Sequence, residues 1–155
     1  MIHIIIEGIL AYAATVGFGI ILNIPRHALN VAGWIGAAGW AVYELIVLKS
    51  GAQISLAQMA IGMLTAGVLI GVLSNWAARV KHMPVILFNI PSLVPLVPGG
   101  QAYQVIRNLV TGHGNIALDY LGQVIAIAGM IALGFLLSEL LVRITYRLRH
   151  VLKAK

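Results

Sequence analysis

No cysteine occurs in the 155-residue chain, which excludes disulfides, thiolate nucleophiles and cysteine-ligated metals. Charge is nearly as scarce. Asp, Glu, Lys and Arg together make up 9% of residues, and only 4 residues are acidic. Carboxylate-based catalysis therefore has little to build with. The histidines, His3, His27, His82, His113 and His150, fall at the ends of apolar runs or in loops, without an HExxH arrangement. No serine or threonine stands in a nucleophile elbow. The sequence predicts no catalytic residues, no metal site and no cofactor; it does not read as an enzyme.

What fills the chain instead is apolar. Hydrophobic residues make up 61% and the mean hydropathy is +0.99, outside the range of an ordinary soluble domain. The expected class is all-α, a polytopic membrane helix bundle forming a single integral domain over residues 1–155. A bundle of this size is too small to enclose a solute pathway alone. The formal net charge of +6 does not indicate nucleic acid, because five of the ten Lys/Arg follow Glu139 and the others sit at expected loop ends. A lipid bilayer, not nucleic acid, is the partner that this distribution fits. The N-terminus has no basic region before its apolar run, so that run reads as an uncleaved helix.

Five spans are expected. Residues 2–22 form the first, interrupted by Glu7 and ended by Asn23-Ile24-Pro25-Arg26. Residues 30–48 form the second, with Gly33, Gly36 and Gly39 as a face that lets another helix approach closely. After the turn Lys49-Ser50-Gly51, residues 54–76 form the third, carrying Gly67 and Gly71. Ala77–His82 reads as a short basic loop. The fourth, residues 83–110, is broken: Pro84, Pro91, Pro95, Pro98 and Gly99-Gly100 fall within it. A half-helix Val85–Ile90, an unwound Pro91–Gly100 and a second half-helix Gln101–Val110 are expected, crossing or re-entrant. After the loop Thr111–Asn115, residues 116–142 form the fifth span, and 143–155 a basic amphipathic tail that anchors to anionic lipid. A C-terminus inside places Arg26, Arg79, Lys81, Arg143, Arg147, Arg149, Lys153 and Lys155 on the cytoplasmic side, leaving only Lys49 and Arg107. The expectation is therefore a multi-pass protein of the cell membrane, N-terminus outside and C-terminus cytoplasmic.

The broken segment is where function is expected, because irregular backbone at membrane depth survives only when buried in protein or lining a cavity. Pro98-Gly99-Gly100 opens a helix whose free N–H groups can receive a carboxylate. Asn89, Ser92, Gly99, Gly100, Gln101, Tyr103, Gln104 and Arg107 are the candidate substrate-binding residues. Asn23, Pro25, Pro91, Pro95 and Pro98 are the candidate hinges. Glu7 and Glu44 are candidate proton-coupling carboxylates, since an acid within a span needs a reason to be there. Plain interfacial positions would also explain both. Ile20–Pro25 and Ile86–Pro91 share the ending Asn-Ile-Pro, an echo that an inverted-repeat transporter would show and that a common helix terminator would show too.

The stretches GFGIILNIPRHALNVAGWIGAAGWAVY and MPVILFNIPSLVPLVPGGQAYQVIRNLVTG resemble the threonine/serine exporter (ThrE-type) family, in its small C-terminal-type membrane domain. The resemblance covers most of the chain. It implies one subunit of a secondary exporter of small carboxylate-bearing solutes, threonine and serine or a dicarboxylate such as succinate. It also implies a larger membrane subunit of the same family as partner; a homo-oligomer is the other assembly considered. The competing reading is a non-transporting scaffold subunit whose Gly33 and Gly36 hold a complex together. An ion channel stands behind both, since no charged ring is evident.

Overall fold

The computed structural model describes residues 2–48 and 55–153. The turn Lys49-Ser50-Gly51, the expected start of the third span at Ile54, and Lys155 lie outside the described residues, as do the side chains of Arg149 and Lys153. The described residues are all-α: α1 (Ile2–Ile21), α2 (Arg26–Leu48), α3 (Leu56–Lys81), α4 (Ile86–Leu93), a 3-10 turn (Val94–Leu96), α5 (Gly99–Val110) and α6 (Gly114–Lys153). Among the described residues, three stretches are long and apolar enough to cross a membrane: His3–Ile21, Leu56–Lys81 and Gly114–Arg147.

Three helices end by one device. Asn23, His82 and Gly112 have φ of 56°, 52° and 80°, and the residue after each donates its N–H back across the last turn. Ile24 donates to Gly19, Met83 to Ala78 and His113 to Asn108, at 3.0, 2.9 and 2.8 Å. Such left-handed closures use up carbonyls that a helix end would otherwise leave bare. Pro25 and Pro84 follow two of them and prevent the helix from resuming in register. α3 starts on a capping box, in which the Ser55 hydroxyl accepts from Gln58 N–H and the Gln58 side chain accepts from Ser55 N–H.

Packing follows the small residues. A Cβ on Gly33 would strike Tyr12, one on Gly36 would strike Thr15, and one on Gly39 would meet Ile70 at 2.6 Å. Gly33 and Gly36 thus seat α2 against α1, and Gly39 seats it against α3. The contacts that the scaffold reading assigned to a partner are made within the chain. Both pairings are antiparallel. α3 and α6 instead run parallel: Gly67 lies on Ile131 and Gly134, Gly71 on Ser138, and the Arg79 guanidinium over the Tyr146 ring. This register sets Leu56 beside Gln123, so the first turns of α6 extend past α3 and pack on α5. At 1.5 Å per residue the 40-residue α6 is about 60 Å long, twice the hydrocarbon thickness.

The boundaries correct several expectations. α2 begins at Arg26, not residue 30, because Pro25 presets the first turn and its carbonyl accepts from Ala28 and Leu29. α3 runs on to Lys81, and the expected loop Ala77–His82 is helical except for its last residue: Ala77 and Ala78 are buried core, and nothing breaks the helix before His82. The loop after α5 shrinks to Thr111–His113, and the basic tail continues α6 as far as Lys153. In the broken segment α4 passes through Pro91 to Leu93, since one proline in a short helix removes a single backbone donor. The true break is Val97-Pro98, where Val97 is extended at ψ 130°. The two Asn-Ile-Pro endings are not structural equivalents: Asn23 terminates α1, whereas Asn89 and Pro91 lie inside α4.

Candidate functional site

Glu7 and Glu44 enter the chain 37 positions apart, and the antiparallel α1–α2 pairing brings them together. Their carboxyl groups lie within hydrogen-bonding reach of each other. The Trp40 indole N–H donates to Glu7 Oε2 at 3.3 Å, and His3 Nδ1 lies 3.4 Å from Glu7 Oε1. A hydrogen bond between two carboxyl groups needs a proton on one of them, because an ionised carboxylate only accepts.

Beside Glu7 a crevice of about 260 Å³ opens between α1, Trp40 and Pro95, the latter in the 3-10 turn. The middle of the broken segment thus shares this crevice with Glu7. Four residues beyond Pro95, Gly99 begins α5. Its N–H turns back to Val97 O at 2.8 Å, and Ala102 N–H is the next to find a protein acceptor, at Pro98 O. No side chain caps this helix, its first turn holds no acid, and a Cβ built on Gly99 or Gly100 meets nothing within 4 Å. The helix start is open to a ligand or to another chain.

The remaining candidates divide between two environments. Ser92 is fully buried and donates to Ala32 O at 2.9 Å, tying α4 to α2. Asn89 Oδ1 is buried without a partner. Both stand in the bundle on α4. Gln101 and Gln104 are half-buried, while Tyr103 and Arg107 share an exposed face of α5, one turn apart. α5 packs on α6, not among α1–α3, so these eight residues do not close around one cavity within the chain. Among the hinges, Asn23 and Pro25 form the α1–α2 turn, Pro91 lies within α4, Pro95 in the 3-10 turn, and Pro98 at the start of α5. Trp40 escaped the sequence reading, because its bond to Glu7 depends on the α1–α2 register and on no local spacing. Ser138 escaped too, although Gly134-xxx-Ser138 is a small-residue pattern matching Gly67-xxx-Gly71.

Charges also sort by end. His27 Nε2 lies 3.1 Å from Met83 Sδ, which sets the start of α2 beside the end of α3. With Arg79 over Tyr146, this gathers Arg26, Arg79, Lys81, Arg143 and Arg147 at one end of the bundle, and leaves Arg107 toward the other.

Comparison with known proteins gives one family: the sequence model described as "Threonine/Serine exporter, ThrE" matches residues 7–141. No solved structure matches the chain.

Proposed function

The chain belongs to the threonine/serine exporter (ThrE) family, and on that premise we propose that it is a membrane subunit that exports small carboxylate-bearing solutes together with a larger subunit of the same family. The observation that carries this reading is the uncapped, unobstructed start of α5, four residues beyond Pro95, which shares a crevice with Glu7. The free N–H groups of Gly100 and Gln101 receive the substrate carboxylate at the positive end of the helix dipole. Gln104 adds a hydrogen bond, and Tyr103 and Arg107 line the approach from the exposed face of α5. Asn89 and Ser92 hold α4 in place beneath the break. Val97-Pro98 is the joint about which α5 moves, with Pro95 fixed against α1. Glu7 and Glu44 exchange a proton as the solute passes, which couples export to a proton gradient. Threonine and serine are the first substrates to test, and a dicarboxylate such as succinate the next.

The whole chain acts as one membrane domain crossing five times. The parallel course of α3 and α6 supports a single crossing made jointly by α4, the 3-10 turn and α5, since a re-entrant pair would leave α6 antiparallel to α3. The cluster of cations at one end supports a cytoplasmic C-terminus. Because the candidate residues meet no common enclosure inside one chain, the pathway is completed by the partner, against the open face of α5.

Gly99→Leu and Gly100→Leu test the reading. A leucine at either position has room within this chain, so normal membrane levels and normal melting are expected, together with loss of labelled threonine and serine efflux. Efflux at the wild-type rate from either variant would place the carboxylate elsewhere.

A further inference from the structure

The basic end of the α3–α6 pair carries a feature that the export reading does not use. A groove of about 250 Å³ runs between the two helices there, walled by Val72, Trp76, Leu141 and Val142 and closed at one end by Arg79 and Tyr146. The Arg79 guanidinium carbon lies over the Tyr146 ring, 3.6 Å from its centroid. Arg79 is exposed, so its guanidinium N–H groups remain accessible to a phosphate, which arginine binds with two donors. The other polar walls are self-satisfied: Asn75 Nδ2 donates to Gly71 O at 3.0 Å and Thr145 Oγ1 to Leu141 O at 2.7 Å. No acid is among the described residues that line the groove. The nearby Arg143 is paired with Glu139 on its own helix, so among the described residues that line the groove Arg79 is the cation offered to a ligand.

We propose that this groove is a binding site for one anionic phospholipid, its phosphate on Arg79 and an acyl chain along Val72, Leu141 and Val142. Charge complementarity selects the occupant. One stacked arginine heads an otherwise apolar trough, at the end of the bundle where Arg26, Lys81 and Arg147 add a favourable field. A soluble phosphate would use the arginine and leave the trough bare; a zwitterionic lipid would fill the trough and bring a repelled ammonium to the arginine. Trp76, 63% exposed beside the groove, suits the headgroup level where indoles concentrate. Basic pockets between membrane helices hold anionic headgroups in this manner. The site differs from diffuse attraction to the basic tail, because it depends on one residue and one groove.

Native mass spectrometry of the purified full chain, equilibrated with phosphatidylglycerol or phosphatidylcholine, tests it. Wild type should retain one phosphatidylglycerol in preference to phosphatidylcholine. Arg79→Gln should weaken phosphatidylglycerol retention by about tenfold and leave phosphatidylcholine unchanged, whereas Arg143→Gln should stay within about twofold of wild type. Val72→Trp fills the trough with the charge intact and should weaken phosphatidylglycerol retention as well, which decides the matter if Arg79→Gln fails to fold. Millimolar glycerol phosphate should not displace the lipid. Equal losses in Arg79→Gln and Arg143→Gln, equal retention of both lipids by wild type, unchanged phosphatidylglycerol retention in Val72→Trp, or displacement by glycerol phosphate would each overturn the proposal.

Discussion

Replacing Gly134 with alanine should push α3 and α6 apart. A Cβ at that position would lie 2.6 Å from the Leu64 carbonyl oxygen, 3.0 Å from Val68 N and 3.1 Å from Gly67 Cα. All three atoms are backbone, so no side chain can swing aside and one helix must move by most of an ångström. A gap of that size forfeits a quarter to a half of each dispersion contact along the seam, and overpacking of this kind costs about 1–3 kcal/mol. Alanine's better helix propensity, about 1 kcal/mol over glycine, offsets part of the loss. The internal control is Gly129→Ala on the same helix, where an added Cβ meets nothing within 4 Å and only the propensity gain applies. Thermal unfolding in detergent, followed by far-UV circular dichroism, should show Gly134→Ala melting below wild type and Gly129→Ala at or above it. Equal melting of the two variants would refute the close parallel packing of α3 and α6, and with it the single joint crossing by α4 and α5.

Three further outcomes are expected. Glu7→Gln and Glu44→Gln should each leave the protein in the membrane but remove the dependence of efflux on an imposed pH gradient; gradient-driven efflux at the wild-type rate in both would show that the pair does not couple protons. Because the chain lacks cysteine, single cysteines can be placed freely, and His82→Cys and His113→Cys should react with an impermeant maleimide from opposite faces of the membrane. Labelling from one face would mean that α4 and α5 re-enter. Ser92→Ala should cost about 0.6 kcal/mol, the average worth of an interhelical hydrogen bond in a membrane, read as a small drop in melting temperature without loss of efflux. Abolished efflux in a stable Ser92→Ala protein would give the hydroxyl a direct role in transport.

The architecture was legible where composition and helix terminators speak locally. Apolar runs disclosed the membrane class, Asn23-Ile24-Pro25 marked the end of α1, and Gly67/Gly71 marked a close helix contact. Prolines misled, because their effect depends on where the helix starts: Pro91 lies in a helix too short to lose more than one bond, while Val97-Pro98 makes the break. Arg79 and Lys81 suggested a loop, yet both complete the last turn of α3, where cations favour a helix C-terminus. The acid pair was legible as two unusual residues but not as a pair, since Glu7, Trp40 and Glu44 meet only through helix register. The scattering of the eight binding candidates was equally hidden, as nothing in the sequence states that α5 leaves α4 to pack on α6.

Efflux of labelled threonine and serine, from cells expressing this chain alone and then with the larger subunit, bears most directly on the central claim. Efflux of either amino acid that requires both chains, and disappears with Gly99→Leu, is the predicted result. Wild-type efflux from the larger subunit without this chain would contradict it, leaving the chain as a scaffold.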